Sequence, residues 1–169
     1  MISPATASRL RKLRCFAPVF VALLLTDCAS KRIAEAELQP PHVPHAVVGD
    51  LVRFTLTYNP GAAMNLTAGL HSREVFTIVA LLALLGLAAL YRRTPAGATL
   101  SLVGLALVSA GALGNALDRW RPAAAVVDFI DVGLGGLRFW VFNVADAGIC
   151  LGVLALVIAN TRRPTPAAG

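Results

Sequence analysis

Four apolar segments, separated by more polar stretches, set the pattern of this chain. The first begins near Cys15 and continues past Asp27 into a polar end, whereas the last two carry polar residues near one end only. A helix of about 20 residues crosses the hydrocarbon core of a bilayer. The pattern predicts four transmembrane helices, over approximately residues 15–36, 74–91, 96–118 and 138–160.

Between the first two helices the alternation changes to the period of a β-strand. Apolar residues fall on one face and polar residues on the other: Val52, Phe54, Leu56 and Tyr58 against Arg53, Thr55 and Thr57. A second stretch contains VVDFIDVGLGG and is able to pair with the first. We therefore expect an all-α membrane fold with a small extracytoplasmic sheet over approximately 46–70 and 121–137. The 169 residues form a single domain, 1–169, with a disordered tail at 163–169.

Clusters of cations predict the orientation of the helices, because cytoplasmic loops of membrane proteins are enriched in Lys and Arg. The clusters lie at the N-terminus, between the second and third helices, and at the C-terminal end: Arg9, Arg11, Lys12 and Arg14; Arg92 and Arg93; Arg162 and Arg163. Both termini are therefore expected in the cytoplasm, N-in/C-in. Single arginines on the predicted outer side show that the rule holds for clusters rather than for every cation.

The first segment also has features of a cleavable signal peptide, with a basic start and a short apolar core. Leu25, Thr26, Asp27 and Cys28 resemble a lipoprotein cleavage site. However, Asp27 stands where a small residue is expected before the cysteine, and the helical pattern continues through Glu35. We interpret the segment as a retained helix.

Composition supports a membrane protein and argues against other classes. Hydrophobic residues make up 57% and charged residues 14%, although soluble domains are usually about one quarter charged. The net charge of +6 sits in the clusters at helix ends, without a basic stripe interleaved with aromatics, so nucleic-acid binding is not expected. The three cysteines and the pair His42 and His45 show no spacing typical of a metal site, and no metal or cofactor is expected.

On this topology the unusual polar residues gather at one membrane face. They are Asp27 and Lys31 on helix 1, Asn115, Asp118 and Arg119 on helix 3, Asn143 and Asp146 on helix 4, Asn59 after the strand, and Asp128 in the second outer stretch. Carboxylates near hydrocarbon are costly and usually mark function. The alternative is a network that only pins helices together, and it suits Asp27, Lys31, Asp118 and Arg119. It suits Asp128 and Asp146 less well, because neither has a cation nearby in sequence.

Two carboxylates without a strong nucleophile indicate hydrolysis by activated water. An ionised Asp removes a proton from water, while a protonated Asp polarises the scissile carbonyl. Two adjacent carboxylates titrate as a coupled pair and share one proton.

Five blocks in order resemble the lipoprotein signal peptidase family, signal peptidase II or peptidase family A8. They are DCASK (27–31), NPGAAM (59–64), GALGNALDR (111–119), VVDFID (126–131) and FNVAD (142–146). The resemblance implies an aspartic endopeptidase that cleaves prolipoproteins before a diacylglyceryl-modified cysteine. It implies Asp128 and Asp146 as the catalytic pair, with Asn59, Asn115, Arg119 and Asn143 ordering the pocket and holding substrate backbone. Asp27 and Lys31 are then supports from helix 1, and Asp118 a structural carboxylate acting through Arg119.

The same resemblance implies a cellular setting, although four positions of this chain differ from the family pattern. The expected partners are diacylglyceryl-prolipoproteins and membrane lipid, the chain is expected to be a monomer in the bacterial inner membrane, and the site faces the outer side beneath a loop or short helix. Pro60, Met64, Ala147 and Asp131 depart from the usual residues and bear on substrate preference rather than on reaction type.

Three rival functions remain open from sequence alone. Ser30 and Lys31 suggest a serine–lysine protease, but neighbouring helical residues point about 100° apart. A small transporter would place its carboxylates near the bilayer midplane rather than at one face. A homologue that has lost activity would keep the same blocks.

Overall fold

The structure, a computed structural model, describes residues 3–61, 71–121 and 125–161. The elements follow in the order α1 (Pro4–Glu37), β1 (Pro44–Val48), β2 (Val52–Asn59), α2 (Ser72–Arg93), α3 (Thr99–Trp120), β3 (Val126–Leu134), β4 (Leu137–Arg138) and α4 (Val144–Thr161). All four helices are long and apolar enough to cross a membrane. The predicted fold of four spanning helices and a small sheet is confirmed.

Helix α1 begins at Pro4, well before the predicted start near residue 15. The Ser3 side chain accepts a hydrogen bond from the Thr6 N–H, and Pro4 occupies the first turn, where its missing N–H costs nothing. The basic residues that precede the apolar segment therefore continue the helix. The apolar pattern located the membrane-spanning part and missed this polar extension.

Helix α4 begins at Val144, not near residue 138 as predicted. Residues 137–142 pair instead with β3, through β4 and a bridge between Phe142 and Ile130. The Asn143 side chain then accepts a hydrogen bond from the Asp146 N–H at 2.9 Å, which is the pattern of a helix N-cap. An apolar run of aromatic and branched residues suits strand as well as helix, and this is why the sequence pattern misplaced the boundary.

Helix α3 is the centre of the bundle and contacts α1, α2 and α4. More than half of its most apolar stretch is buried inside the protein, a larger share than in the other helices. Glycines allow α3 and α4 to approach through their backbones. A Cβ added at Gly104 would lie 2.8 Å from the Gly152 carbonyl oxygen, and one added at Gly111 would lie 2.5 Å from the Ala145 carbonyl oxygen.

A methyl group at Gly111 is therefore expected to displace the first turn of α4, which carries Asp146. We expect Gly111→Ala to destabilise the protein by about 1–3 kcal/mol through overpacking and to lower activity. Gly86→Ala is the matched control, because nothing lies within 4 Å of an added Cβ on that face of α2. Thermal unfolding in detergent measures both effects. Equal melting temperatures for the two variants would contradict the close approach of α3 and α4.

The sheet is antiparallel, with strand order β1-β2-β3-β4. Phe54, Leu56 and Tyr58 of β2 turn toward a small core, which confirms the predicted apolar face of this strand. Leu56 is fully buried there against Val127 and Phe129 of β3, and the end of α1 covers the core. Strand β3 is therefore held by β2 within the sheet and by packing against the end of α1.

Parts of the predicted sheet regions lie outside the described residues, namely 62–70 and 122–124, as does the predicted tail at 163–169. The loop or short helix predicted over the site stays a prediction. At the end of the helix bundle away from the sheet, Lys12 Nζ donates a hydrogen bond to the Arg92 carbonyl at 3.1 Å. The basic start of α1 and the α2–α3 turn therefore lie at the same end.

Candidate active site

Asn143 is fully buried at the start of α4 and links the two aspartates of the predicted pair. Its Nδ2 donates a hydrogen bond to Asp128 Oδ1 at 2.7 Å. Its backbone N–H donates to Asp146 Oδ2 at 3.2 Å. The structure therefore brings Asp128, from β3, and Asp146, from α4, around one asparagine.

Asn115 of α3 holds Asp146 from the other side. Its Nδ2 donates to Asp146 Oδ1 at 2.8 Å, whereas its Oδ1 accepts from Lys31 Nζ at 2.9 Å and from Asn143 Nδ2 at 3.2 Å. An ammonium group only donates, so Lys31 fixes which end of the Asn115 amide faces it. The NH₂ end must then point to Asp146.

Lys31 is the centre of a buried ion cluster beneath the aspartate pair, and only 1% of it is exposed. Its ammonium lies 2.8 Å from both Asp27 Oδ2 and Asp118 Oδ2. Asp27 also accepts a hydrogen bond from the Ala145 N–H at 2.9 Å, one residue before Asp146. Helix α1 thus supports the site through both α3 and α4. The prediction that Asp27 and Lys31 lie beside the site agrees with these contacts.

Asp118 lies at the end of α3 and has partners on more than one element. Its carboxylate pairs with Lys31 and, at 3.6 Å, with Arg121, and it accepts a hydrogen bond from the Val127 N–H. The charge of Asp118 also acts on the neighbouring Arg119 guanidinium, and the predicted support through Arg119 stays a prediction. Asp118 also connects α1 to the start of β3.

Arg119 connects α3 to the loop that follows β2. It donates to the Asn115 carbonyl at 2.9 Å and to the Gly61 carbonyl at 2.5 Å. In the same loop, Asn59 donates to Asp128 Oδ2 at 3.2 Å and accepts from the Gly61 N–H. All nine predicted site residues therefore belong to one connected network around the aspartate pair.

Burial raises the pKa of Asp128 from 3.8 to about 7, and the charge of Asp146 contributes in the same direction. Hydrogen bonds from Asn59 and Asn143 oppose the shift without cancelling it. Around neutral pH the pair is therefore able to hold a proton on Asp128. A carboxylic acid retained beside a carboxylate is the arrangement that acid–base hydrolysis needs.

Other groups near the site have structural roles. Asp131 accepts hydrogen bonds from Thr55 at 3.0 Å and from Arg138 at 2.6 Å, so it holds strands together. The Ser30 hydroxyl donates to the Asp27 carbonyl, whereas Lys31 faces its carboxylates and Asn115, which gives no support to a serine–lysine pair. In the described ranges, no group of three or more His, Cys, Asp or Glu residues is arranged to hold a metal ion.

Sequence reasoning missed the backbone groups that complete the site. The Gly61 carbonyl and the Ala145 N–H bind Arg119 and Asp27, respectively. Backbone groups carry no residue-type signal, so no pattern pointed to them. The pairing of Glu35 with Arg121 at 2.6 Å was also missed, although the two residues carry opposite charges at the ends of α1 and α3.

Comparison with known proteins gives the family. The profile described as Signal peptidase (SPase) II matches residues 19–162. A lipoprotein signal peptidase of Rhodococcus jostii is 37% identical over 163 residues, covering 92% of this chain and 76% of the relative. A lipoprotein signal peptidase of Coxiella burnetii is 35% identical over 147 residues, covering 86% of this chain and 88% of the relative.

Solved structures agree with the sequence relatives. A bacterial membrane enzyme determined by the in meso method at 2.3 Å resolution superposes with a TM-score of 0.78 at 27% identity, covering 90% of this chain and 93% of that one. Fold, site and relatives together define a membrane-embedded peptidase. The chain belongs to the signal peptidase II family, as the five sequence blocks indicated.

Proposed function

We propose that this protein is an aspartic endopeptidase that removes signal peptides from diacylglyceryl-modified prolipoproteins. The observation that carries the proposal is the meeting of Asp128 and Asp146 around Asn143 at one end of the helices. Family membership supports the substrate class, since the relatives are lipoprotein signal peptidases. Cleavage falls before the lipid-modified cysteine.

In the proposed mechanism Asp146 is the base and Asp128 the acid. Asp146 removes a proton from a water molecule, whose oxygen attacks the scissile carbonyl carbon. Asp128 donates its proton to the carbonyl oxygen, and the tetrahedral intermediate forms without a covalent bond to the enzyme. On collapse the C–N bond breaks, the amine of the lipidated cysteine takes the proton held by Asp146, and the new acid returns a proton to Asp128.

Surrounding residues position the two acids for these steps. Asn115 and the Asn143 N–H each donate a hydrogen bond to Asp146 and fix the orientation of its carboxyl group. Asn59 and Asn143 hold Asp128, and Arg119 fixes the Gly61 loop beside it. Pre-positioned groups of this kind lower the cost of reaching the transition state.

The proposed setting is the bacterial inner membrane, with both termini in the cytoplasm and the site at the outer face. This orientation is supported by the Lys12–Arg92 contact, which brings the basic clusters of α1 and the α2–α3 turn together, and by the preference of such clusters for the cytoplasmic side. Acyl chains of the substrate cysteine then stay in the bilayer while its peptide bond reaches the interface. The enzyme acts as a monomer without a cofactor.

The function is tested with purified protein in nanodiscs and a prolipoprotein offered with and without its diacylglyceryl group. Mass spectrometry should find a new N-terminus at the lipidated cysteine and little cleavage of the unmodified substrate. In water enriched in ¹⁸O, one heavy oxygen should enter the carboxylate of the released signal peptide. Cleavage elsewhere, or equal cleavage of both substrates, would refute the assignment.

The raised pKa of Asp128 predicts the pH dependence of cleavage. The protonated form is the active one, so kcat/KM should fall about tenfold for each pH unit above about 7. Initial rates at substrate concentrations below KM, measured from about pH 6 to about pH 9, give the profile. A flat profile through this range would contradict the role of Asp128 as the acid.

A further inference from the structure

The end of the sheet farthest along β3 from Asp128 exposes a group of large apolar side chains. Leu137 is 87% exposed and Leu134 is 68% exposed. The β1–β2 and β3–β4 turns lie side by side here, because Gly133 N–H donates to the Leu51 carbonyl and Gly135 N–H donates to Asp50. We call this group the hairpin tip; its members are Val48, Leu51, Leu134, Leu137, Phe139 and Trp140.

The charges around the hairpin tip are paired within the sheet. Arg138 is the one charged residue between Val132 and Asn143. Its guanidinium binds Asp131 at 2.6 Å and the Asp50 carbonyl at 2.9 Å, and Asp50 also pairs with Arg53. The tip therefore presents leucine, valine and aromatic surface without an unpaired charge to repel hydrocarbon.

The hairpin tip is continuous with a membrane-spanning helix. Phe139 and Trp140 lie four and three residues before Asn143, just ahead of α4, and both are at least half exposed. The Phe139 ring packs edge-on against the rings of Trp140 and Phe142, with ring centroids 5.3 Å and 6.0 Å apart, respectively. Tryptophan is enriched where membrane spans meet water, since it combines a large apolar ring with a polar N–H.

From these features we infer that the hairpin tip inserts into the lipid interface on the same side of the membrane as the aspartates. Its partner is the headgroup and upper acyl region of the bilayer that surrounds α4. The sheet is then held at two points, by the bundle near Asp128 and by lipid at the tip. This fixes the depth of β3 and keeps Asp128 level with Asp146. The effect on cleavage rests on the proposed function, whereas the lipid contact does not.

Fluorescence quenching tests the lipid contact directly. The chain holds two tryptophans, so Trp120→Phe and Trp140→Phe give a background into which Leu137→Trp places a single reporter. The protein is reconstituted in phosphatidylcholine–phosphatidylglycerol vesicles that carry doxyl groups at shallow or deep acyl positions. Leu85→Trp, at a lipid-exposed position within α2, is the reference for the membrane interior.

The reporter at residue 137 should be quenched by the shallow label more than by the deep one, and should be protected from aqueous iodide. The Leu85→Trp reference should show the reverse preference for label depth. Quenching by iodide without quenching by lipid labels would place the tip in water and overturn the inference. Protection from both quenchers would mean that protein covers the tip, from a partner or a second copy, and would overturn it equally.

A charge at the tip tests the link to cleavage. Leu137→Glu should raise KM for a diacylated substrate in nanodiscs about fivefold with little change in kcat, since a buried charge disfavours the inserted position. Val43→Glu is the matched control, because Val43 is an exposed valine that immediately precedes β1, at the end of that strand opposite to Val48. An unchanged KM for Leu137→Glu would remove the functional link. The quenching experiment tests the lipid contact even if the protein cleaves no lipoprotein. Failure of the lipid contact and failure of the proposed function are therefore distinguishable.

Discussion

The Asp146→Asn variant is expected to lose about 10³-fold in kcat on a diacylated prolipoprotein, because asparagine cannot take the proton from water. Its amide keeps an oxygen for one of the two donors that face Asp146, from Asn115 and from the Asn143 backbone. The fold should therefore survive while the chemistry fails. Single-turnover cleavage in nanodiscs separates this loss from any change in substrate binding.

Asp128→Asn should lose activity to a similar extent but should unfold differently. The folded pKa of Asp128, about 7, lies above its unfolded value of 3.8, so the native state binds this proton more tightly. Wild-type stability contributed by this group is therefore present at low pH and is lost as pH rises from about 4 to about 7. Asparagine does not titrate, so the variant does not lose this stability as pH rises. We expect the variant to be more stable above pH 7, by roughly 2 kcal/mol after the loss of one hydrogen bond to Asn59.

Glu37→Gln is the matched control for both substitutions, because Glu37 is an exposed carboxylate at the last residue of α1. It should leave kcat and melting temperature unchanged. Residual activity above about one tenth of wild type in either aspartate variant would exclude the proposed pair from the chemistry. A melting temperature of Asp128→Asn that follows wild type at every pH would contradict the raised pKa.

The second large effect is expected at Lys31. Lys31→Met would leave Asp27 and Asp118 buried without the ammonium that lies 2.8 Å from each. Removing one partner from a buried ion cluster costs about 3–5 kcal/mol, and here two carboxylates lose the same partner. We expect the variant to accumulate poorly or to melt far below wild type. Asn115 would also lose the donor that orients its amide.

A compensated variant distinguishes lost charge from lost shape. Lys31→Met combined with Asp27→Asn and Asp118→Asn removes the unpaired charges and should recover much of the stability, without full activity. Lys12→Met is the matched control, since Lys12 lies on the same helix and is partly exposed. A Lys31→Met protein as stable as the Lys12→Met protein would show that the cluster contributes little to folding.

Much of this architecture was predictable because the bilayer imposes strict rules on sequence. Apolar runs identified four spans, and the period of two around Leu56 identified β2. The start of α4 was not predictable in the same way, since Phe139 to Phe142 suit either a strand or a helix. Pairing with β3 and the Asn143 cap decided the boundary, and both depend on contacts with residues distant in sequence.

The candidate site was also predictable only in part. One-sided placement of polar residues located it, and helical spacing paired Asn115 with Asp118 and Asn143 with Asp146. Spacing cannot choose partners across elements, so it did not predict the pairing of Asp118 with Lys31 and Arg121. The Gly61 carbonyl was invisible to any reading of side chains.

The two aspartates come from supports of unequal strength. Asp146 is fixed by a glycine-lined backbone contact between two long helices, whereas Asp128 belongs to a four-stranded sheet with a small core. Regions with few buried apolar contacts open at lower free energy than densely packed ones. Warming should therefore inactivate the enzyme reversibly, by drawing the two halves of the dyad apart, at temperatures where its helical circular dichroism is still intact.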